Sequence, residues 1–364
     1  VAIGAAALTI GYVTTVKAAD LGGTCCADLE ERVSELEATT ARKGGRKVTL
    51  TVSGQVNAAI LWVDANGETK KTVTDNGNSQ SKFRFVGDAK IAPDWSAGYL
   101  LEVGTIVASE GTGAAVYDLG IRHSAWWVEN KQAGRVWVGK TSTATDGIME
   151  ISVANVDPAS TMASLEPLST SYLGGSNLPY DGNRENVVRY VTPTFSGFTA
   201  SAAWMANKND AWDVSLKYAG EFSGIRAAGG VGYRVEDSPA ILGDKTKTLG
   251  GSASVMHIAS GLFVNGAYGK FTGIATSGFL EFDNAKVMHF QAGIEQKWLP
   301  LGITTLYGEW AELKQDGDKA NMYGFGAVQK VDAAAMDFYA AYRNYDVPNT
   351  PTVQTVVLGA VIRF

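Results

Sequence analysis

Five carboxylates, Asp146, Glu150, Asp157, Glu166 and Asp181, stand in one connection, Ser142 to Asn183, that contains no Lys or Arg. Basic residues sit instead on neighbouring segments, at Lys82, Arg84, Arg122, Lys140 and Arg189. Acids on one wall of a narrow aqueous passage and bases on the other set a transverse field that sorts ions by charge. Catalysis would need more: a nucleophile, a base and an orienting group within mutual reach. The chain has 3 His, and His123, His257 and His289 fall on different predicted strands. His289 shares a polar face with Glu295, which a wet interior also explains. The chain is therefore expected not to be an enzyme and to need no cofactor or metal. Zinc would require four ligands, and the two cysteines, Cys25 and Cys26, are adjacent with no His nearby. They read as free thiols or as bridges between subunits.

The acidic connection is long, is broken by Pro158, Pro167 and Pro179, and carries apolar Met149, Ile151, Val153, Met162, Leu165 and Leu168. A loop of that length without strands of its own is usually functional or disordered. The apolar residues favour a loop that folds inward over a solvated surface loop.

Strands must frame it. From Lys47 the apolar residues recur at a period of two: Val48, Leu50, Val52, Val56, Ala58, Ile60 and Trp62 alternate with Thr49, Thr51, Ser53, Gln55 and Asn57. Trp212, Val214, Leu216 and Tyr218 oppose Asp213, Ser215 and Lys217; Met288, Phe290, Ala292 and Ile294 oppose His289, Gln291 and Glu295. About sixteen such runs follow one another, at 47–63, 81–92, 94–108, 120–130, 133–141, 185–192, 197–206, 211–219, 223–236, 246–259, 261–271, 285–298, 301–314, 320–331, 333–345 and 352–364. Most are about 9–14 residues, the span of a tilted membrane strand, where soluble strands average about five or six. Connections alternate between short ones, such as Ala92-Pro93-Asp94, and longer polar ones, such as Asp64 to Gln80 and Gly273 to Asn284. That alternation belongs to transmembrane barrels with turns at one end and loops at the other. The predicted fold is an all-β, 16-stranded antiparallel transmembrane barrel over 47–364, apolar face outward, with 142–183 folded into the lumen. An array of soluble β-sandwiches would show the same alternation with the faces reversed. Aromatic residues toward strand ends, among them Trp62, Trp95, Tyr99, Trp298 and Tyr345, suit the headgroup level.

Hydrophobic residues make up 45% of 364, yet the mean hydropathy is −0.03, so apolar residues are dispersed as alternation requires. The net charge of −6 argues against nucleic acid as a partner. Residues 1–18 read as an export-signal remnant, with Val16-Lys17-Ala18 a cleavage site. Residues 19–46 form a periplasmic segment whose helix, Ala27 to Ala41, carries Leu29, Val33 and Leu36 on one face. That stripe is a short coiled-coil seam or a helix resting on another surface.

The chain resembles the alphaproteobacterial porins, the general diffusion channels of the outer membrane. The carrying segments are Cys25-Cys26-Ala27-Asp28-Leu29-Glu30-Glu31-Arg32-Val33, Glu35 to Gly44, Arg46-Lys47-Val48, Ala97-Gly98-Tyr99, Arg135 to Lys140 running into Ser142 to Gly147, and the terminal Phe364. The resemblance implies a homotrimer in the bacterial outer membrane with both termini periplasmic. It implies an inward third loop and passive diffusion of small hydrophilic solutes. Outer-membrane lipid, lipopolysaccharide and the barrel assembly machinery, for which Phe364 is the signal, are the implied partners. Ala19-Asp20 resembles a start that in relatives attaches to peptidoglycan, so Ala19 is a candidate tether site. From the acidic loop a weak cation preference is expected; the alternative is a structural tether or adhesin with little channel activity.

Overall fold

The computed structural model describes residues 48–106, 118–161, 181–206, 211–237, 245–273, 275–277, 280–282, 284–315, 318–348 and 351–364. Ala19, Cys25, Cys26, the predicted helix at 27–41 and Glu166 lie outside them. The strands are β1 (Thr51–Ala65), β2 (Glu68–Asp75), β3 (Lys82–Ala92), β4 (Trp95–Ile106), β5 (Asp118–Asn130), β6 (Gly134–Ser142), β7 (Arg184–Val191), β8 (Phe198–Met205), β9 (Ala211–Phe222), β10 (Ile225–Asp237), β11 (Lys245–His257), β12 (Leu262–Thr272), β13 (Ala275–Ser277), β14 (Leu280–Phe282), β15 (Ala285–Leu299), β16 (Gly302–Gln315), β17 (Asp318–Val331), β18 (Met336–Asp346) and β19 (Val353–Arg363).

Seventeen strands form one antiparallel sheet, and β1 pairs with β19 from Gln55↔Arg363 to Ala65↔Val353, which closes it. β2 and β3 lie end to end against β1, so the barrel has sixteen staves. Closure joins the first stave to the last, so the backbone groups of the staves pair around the ring; among the described residues, β2 alone pairs on one side only, with β1. Even Phe364 is paired: its N–H donates to Gly54 O at 3.1 Å, and Gly54 N–H donates back at 2.8 Å.

Burial decides between a membrane barrel and a soluble sandwich. On β1, Val56 is 56% exposed and Asn57 is 1% exposed. On β11, Thr246, Thr248, Ser252 and Ser254 are buried while Leu249 and Val255 are exposed. The apolar face points out and the polar face in, the reverse of a soluble sheet.

Two of the predicted long connections are not loops. In Asp64 to Gln80, Asn66 and Gly67 take φ 58 and 78, the two positive angles that a tight hairpin turn requires. β2 then folds back along β1, Ala65↔Glu68 to Ala58↔Asp75. Only the segment between β2 and β3 departs from the sheet. Gly273 to Asn284 likewise contains the small hairpin β13–β14. The Asn-Gly pair was the available signal for the first; its polar flanks concealed it.

The inner face is not polar throughout. Toward the long-loop end it carries Leu61 and Val63 on β1, Phe271 on β12, Val287 on β15, Leu313 on β16 and Met322 on β17, all buried. The rule that the inner phase lines water therefore holds for only part of the wall.

Candidate functional site

The chain leaves β6 at Ser142 and turns into the barrel, where the wall holds it at successive stations. The carboxylate of Asp213 on β9 accepts from Ala144 N at 3.0 Å, Thr145 N at 2.9 Å and Thr145 Oγ1 at 2.6 Å. Ser215 Oγ donates to Ala144 O at 2.7 Å. On β11, Ser252 Oγ donates to Ile148 O at 2.6 Å and accepts from Ile151 N at 3.1 Å, and Ser254 Oγ accepts from Val153 N at 2.9 Å. Glu295 on β15 accepts from Asn155 N at 2.8 Å. Glu309 on β16 accepts from Ser160 Oγ at 2.5 Å. Arg343 on β18 donates to Ala159 O and, through Nε, to Glu309 Oε1 at 2.9 Å. Asn76, between β2 and β3, then donates to Pro158 O at 2.7 Å. The described part of the loop thus follows the inner wall from β9 to β18 and at Pro158 meets the segment that departs from the sheet. Ile148 and Met149 pack against Phe271, Val287, Leu313 and Met322; Val156 and Ala159 pack in a second cluster with Leu61 and Val63.

The basic wall stands on β3 to β7. Arg84 Nε donates to Glu102 Oε2 at 2.7 Å and Arg122 Nε to Glu102 Oε1 at 2.8 Å. Arg122 also donates to Gln80 Oε1. The register of β4 with β5 shifts between Glu102 and Val103 and skips Arg122. This bulge lets Arg122 and His123 both face inward, which strict alternation forbids. His123 Nδ1 lies 3.1 Å from Thr141 Oγ1. Lys82 is buried. Arg189 Nη1 donates to Thr143 O at 3.3 Å, with its guanidinium 5.7 Å from the Trp137 ring.

Lys140 departs from expectation. It pairs with Ser124 and Asn186, on the face opposite His123 and Thr141. Val138 and Val136 share its phase, and Val136 is exposed, so Lys140 belongs to the outer surface. Its place beside the inward loop suggested the interior; the strand period puts it outside.

Among the loop acids, Asp146 and Asp181 lie near the turn at Gly147, where Asp181 Oδ1 accepts from Ile148 N at 3.0 Å and Gly182 N at 2.9 Å. Glu150 and Asp157 border a small recess between loop and wall, with Ser252, Asn265, His289 and Gln291 opposite. Burial pushes the Glu150 carboxyl up to about 7, helped by Asp146 and Asp157 nearby. Burial likewise raises Asp157 to about 6. It raises Asp181 well above the usual carboxylate range, with Glu150 and Asp146 adding repulsion. Burial opposes ionisation of Asp146 too, but the Arg184 guanidinium and other neighbours hold it below its ordinary value.

The arrangement can restrict and sort what passes. Ser160 and His289 do meet, but at the Glu309 carboxylate, where Ser160 Oγ donates at 2.5 Å and His289 Nε2 lies at 3.2 Å, so the serine hydroxyl is spent on the acid and not on the imidazole that would have to activate it. Asp213, Glu295, Glu309 and Arg343, which hold the loop, were not among the expected site residues. Their signal was a charge on the inward phase of a strand far from the loop in sequence.

The family model described as Gram-negative porin matches residues 4–350. No curated protein matches the chain. Among solved structures, the anion-selective porin from Comamonas acidovorans is similar at 15% identity and TM-score 0.62, over 87% of this chain and 100% of that one. The Salmonella typhi OmpF complex with daunomycin is similar at 13% identity and TM-score 0.61, over 87% and 98%. The trimer form of Vibrio cholerae OmpT is similar at 13% identity and TM-score 0.57, over 88% and 100%.

Proposed function

The chain belongs to the Gram-negative porin family, and from that premise we propose a passive, water-filled channel for small hydrophilic solutes and ions, with a weak preference for cations. The observation that carries the reading is the loop itself. Side chains of β9, β11, β15, β16 and β18 hold it against the inner wall, and its described part, like the whole of Ser142 to Asn183, contains acids but no bases. On the facing wall Arg84 and Arg122 share Glu102, which offsets part of their charge. Of the loop acids, Asp146 and Asp157 carry the negative charge at neutral pH, with Glu150 adding to it as the pH rises through about 7.

The remaining features follow from the same reading. The short turns and both barrel termini face the periplasm, and the longer loops face outward. The barrel works as a homotrimer in the outer membrane of a Gram-negative, alphaproteobacterial cell, inserted by the assembly machinery through Phe364. It is surrounded by lipid and lipopolysaccharide, with Ala19 available for attachment to peptidoglycan.

Single-channel current in a planar bilayer under a KCl gradient tests this. Stepwise long-lived openings that close in thirds are expected, with the dilute side positive at zero current. The Comamonas relative is described as anion-selective, so the opposite sign here would overturn the cation preference. D146N/E150Q/D157N should move the reversal potential toward zero; no movement would refute the role of the loop acids. A silent bilayer from folded barrel would refute the channel.

A further inference from the structure

The basic wall holds more charge than its acids can offset. Lys82 on β3 faces Gly104 on β4, which faces Gly120 on β5. Neither glycine puts a side chain in between. Arg122 therefore lies flat across Gly104, where a Cβ would collide with Arg122 Cδ and stand 3.3 Å from Lys82 Cβ. Arg84 follows Lys82 two residues on, on the same face of β3. From the other side comes Arg184, which opens β7 opposite Ser142. Its charge acts on Arg122, His123 and Lys82 alike. The two limbs of the loop meet here, Thr143 N–H donating to Asn183 O at 2.9 Å, so the cluster sits where the loop leaves the wall.

Two acids answer these four cations. Glu102 accepts from Arg84 and Arg122, and Arg184 helps to keep Asp146 ionised. Asp75 is engaged elsewhere, accepting from Ser81 N at 3.0 Å and from Thr105 Oγ1 at 2.7 Å. Four positive charges against two negative leave two over. Lys82 is 8% exposed, and among the described residues its ammonium has no ion-pair partner. Arg184 Nε, Arg184 Nη2 and His123 Nε2 are buried without a hydrogen-bond partner. Other buried arginines of the inner wall have theirs: Arg343 pairs with Glu309, and Arg234 with Glu236. A charge held out of water without a partner is costly. The cluster therefore suits a counter-ion that the chain itself does not supply.

We propose that Lys82, Arg122 and Arg184, backed by His123, bind a divalent tetrahedral oxyanion, phosphate or sulfate. Two charges left over match a dianion. Donors that come from three strands match an ion whose oxygens point in several directions, and a guanidinium fork can take two of them at once. A chloride would leave one charge and most of the donors unused. Arg84 and Arg122 are 22% and 12% exposed, so the ion enters from the passage. The inference rests on the channel reading above and adds a specific occupant of the basic wall. With the dianion bound the wall is neutral, and the loop acids set the selectivity alone.

Isothermal titration calorimetry tests the site without any current. It uses the full-length barrel, purified in detergent and dialysed free of phosphate and sulfate at pH 8. Phosphate and sulfate should each bind about tenfold or more tightly than chloride or nitrate, and K82Q/R184Q should lower that affinity by about the same factor. E102Q removes the carboxylate that competes for Arg84 and Arg122, and should tighten binding. R226Q, at the short-turn end and paired with Glu221, should leave it unchanged. Phosphate and sulfate bound no more tightly than chloride, or a K82Q/R184Q barrel that binds them like wild type, would overturn the proposal. If the double variant does not fold, K82Q and E102Q must still move affinity in opposite directions; a shift in the same direction would overturn it as well. In a planar bilayer, millimolar phosphate on both sides of the KCl gradient should strengthen the cation preference of wild type but not of K82Q/R184Q. A silent bilayer from a barrel that binds phosphate would refute the channel and keep the site. A conducting barrel that binds no phosphate would do the reverse.

Discussion

Removing the Asp213 carboxylate should free the loop at the point where it leaves the wall. Asp213 is 0% exposed and accepts three hydrogen bonds, two from backbone N–H groups of the loop and one from the Thr145 hydroxyl. In D213A all three donors lose their acceptor. Each buried donor left without one costs about 1–3 kcal/mol. Taking the lower end for each of the three, the loss is about 3 kcal/mol in all. The barrel ladders do not depend on this carboxylate, so the loss falls on the loop. At 1.4 kcal/mol per decade, 3 kcal/mol raises the population of the detached loop about 150-fold. Hydrogen exchange of the Ala144 and Thr145 amides should accelerate by about that factor, while amides within β9 and β10 keep their protection. D213N keeps one acceptor oxygen and should fall between. Single-channel traces of D213A should show added current noise from a loop that no longer holds one position. Wild-type exchange at Ala144 and Thr145 in a folded D213A barrel would refute the anchoring argument.

Two further predictions concern charge in the lumen. Glu150 and Asp157 titrate near 7 and 6, and Asp181 is raised as well, whereas Asp146 stays ionised to lower pH. Lowering the pH from 8 to 5 should therefore neutralise most of the loop charge and weaken the cation preference over that window; a reversal potential that stays flat from pH 8 to 5 would contradict it. Arg343 and Glu309 are both fully buried and paired. R343M leaves the buried carboxylate without its cation, held only by Ser160, Gln291 and His289, and should destabilise by about 3 kcal/mol, the low end for a broken buried pair, read as a lower midpoint in urea. R343M/E309L should recover part of that loss, and strictly additive effects would argue against a coupled pair.

The staves were legible because strand periodicity in a barrel is a strong constraint: one face meets lipid, the other does not, and a slip of one residue would exchange them. All sixteen predicted runs correspond to staves. Individual side chains at exceptions to the period were harder. Arg122 faces inward only because β5 bulges there, and a bulge leaves no mark in the alternation itself. Lys140 stands beside the inward loop in sequence, yet the strand period, applied strictly, puts it outside. The anchors Glu309 and Arg343 lie far along the chain from Ser160 and Ala159, which they hold. No local pattern links them.

Two anomalies in the sequence explain each other once the loop is followed. Leu61, Val63, Phe271, Val287, Leu313 and Met322 occupy the phase that should line water, and an inner wall of bare hydrocarbon facing water would be costly. Ile148, Met149, Val153 and Val156 occupy a loop that should be polar. Each set alone reads as a defect in the pattern. Together they are two halves of one contact: the loop's apolar side chains pack on the wall's, at about 25 cal/mol per Å² of apolar surface removed from water. Its carboxylates Glu150 and Asp157 border the recess left between loop and wall. The loop is therefore held by the same physics as a protein core, placed inside a barrel whose outer surface follows the opposite rule. A barrel sequence with apolar residues on the inward phase of several neighbouring strands should, on this argument, carry an equally apolar loop to cover them.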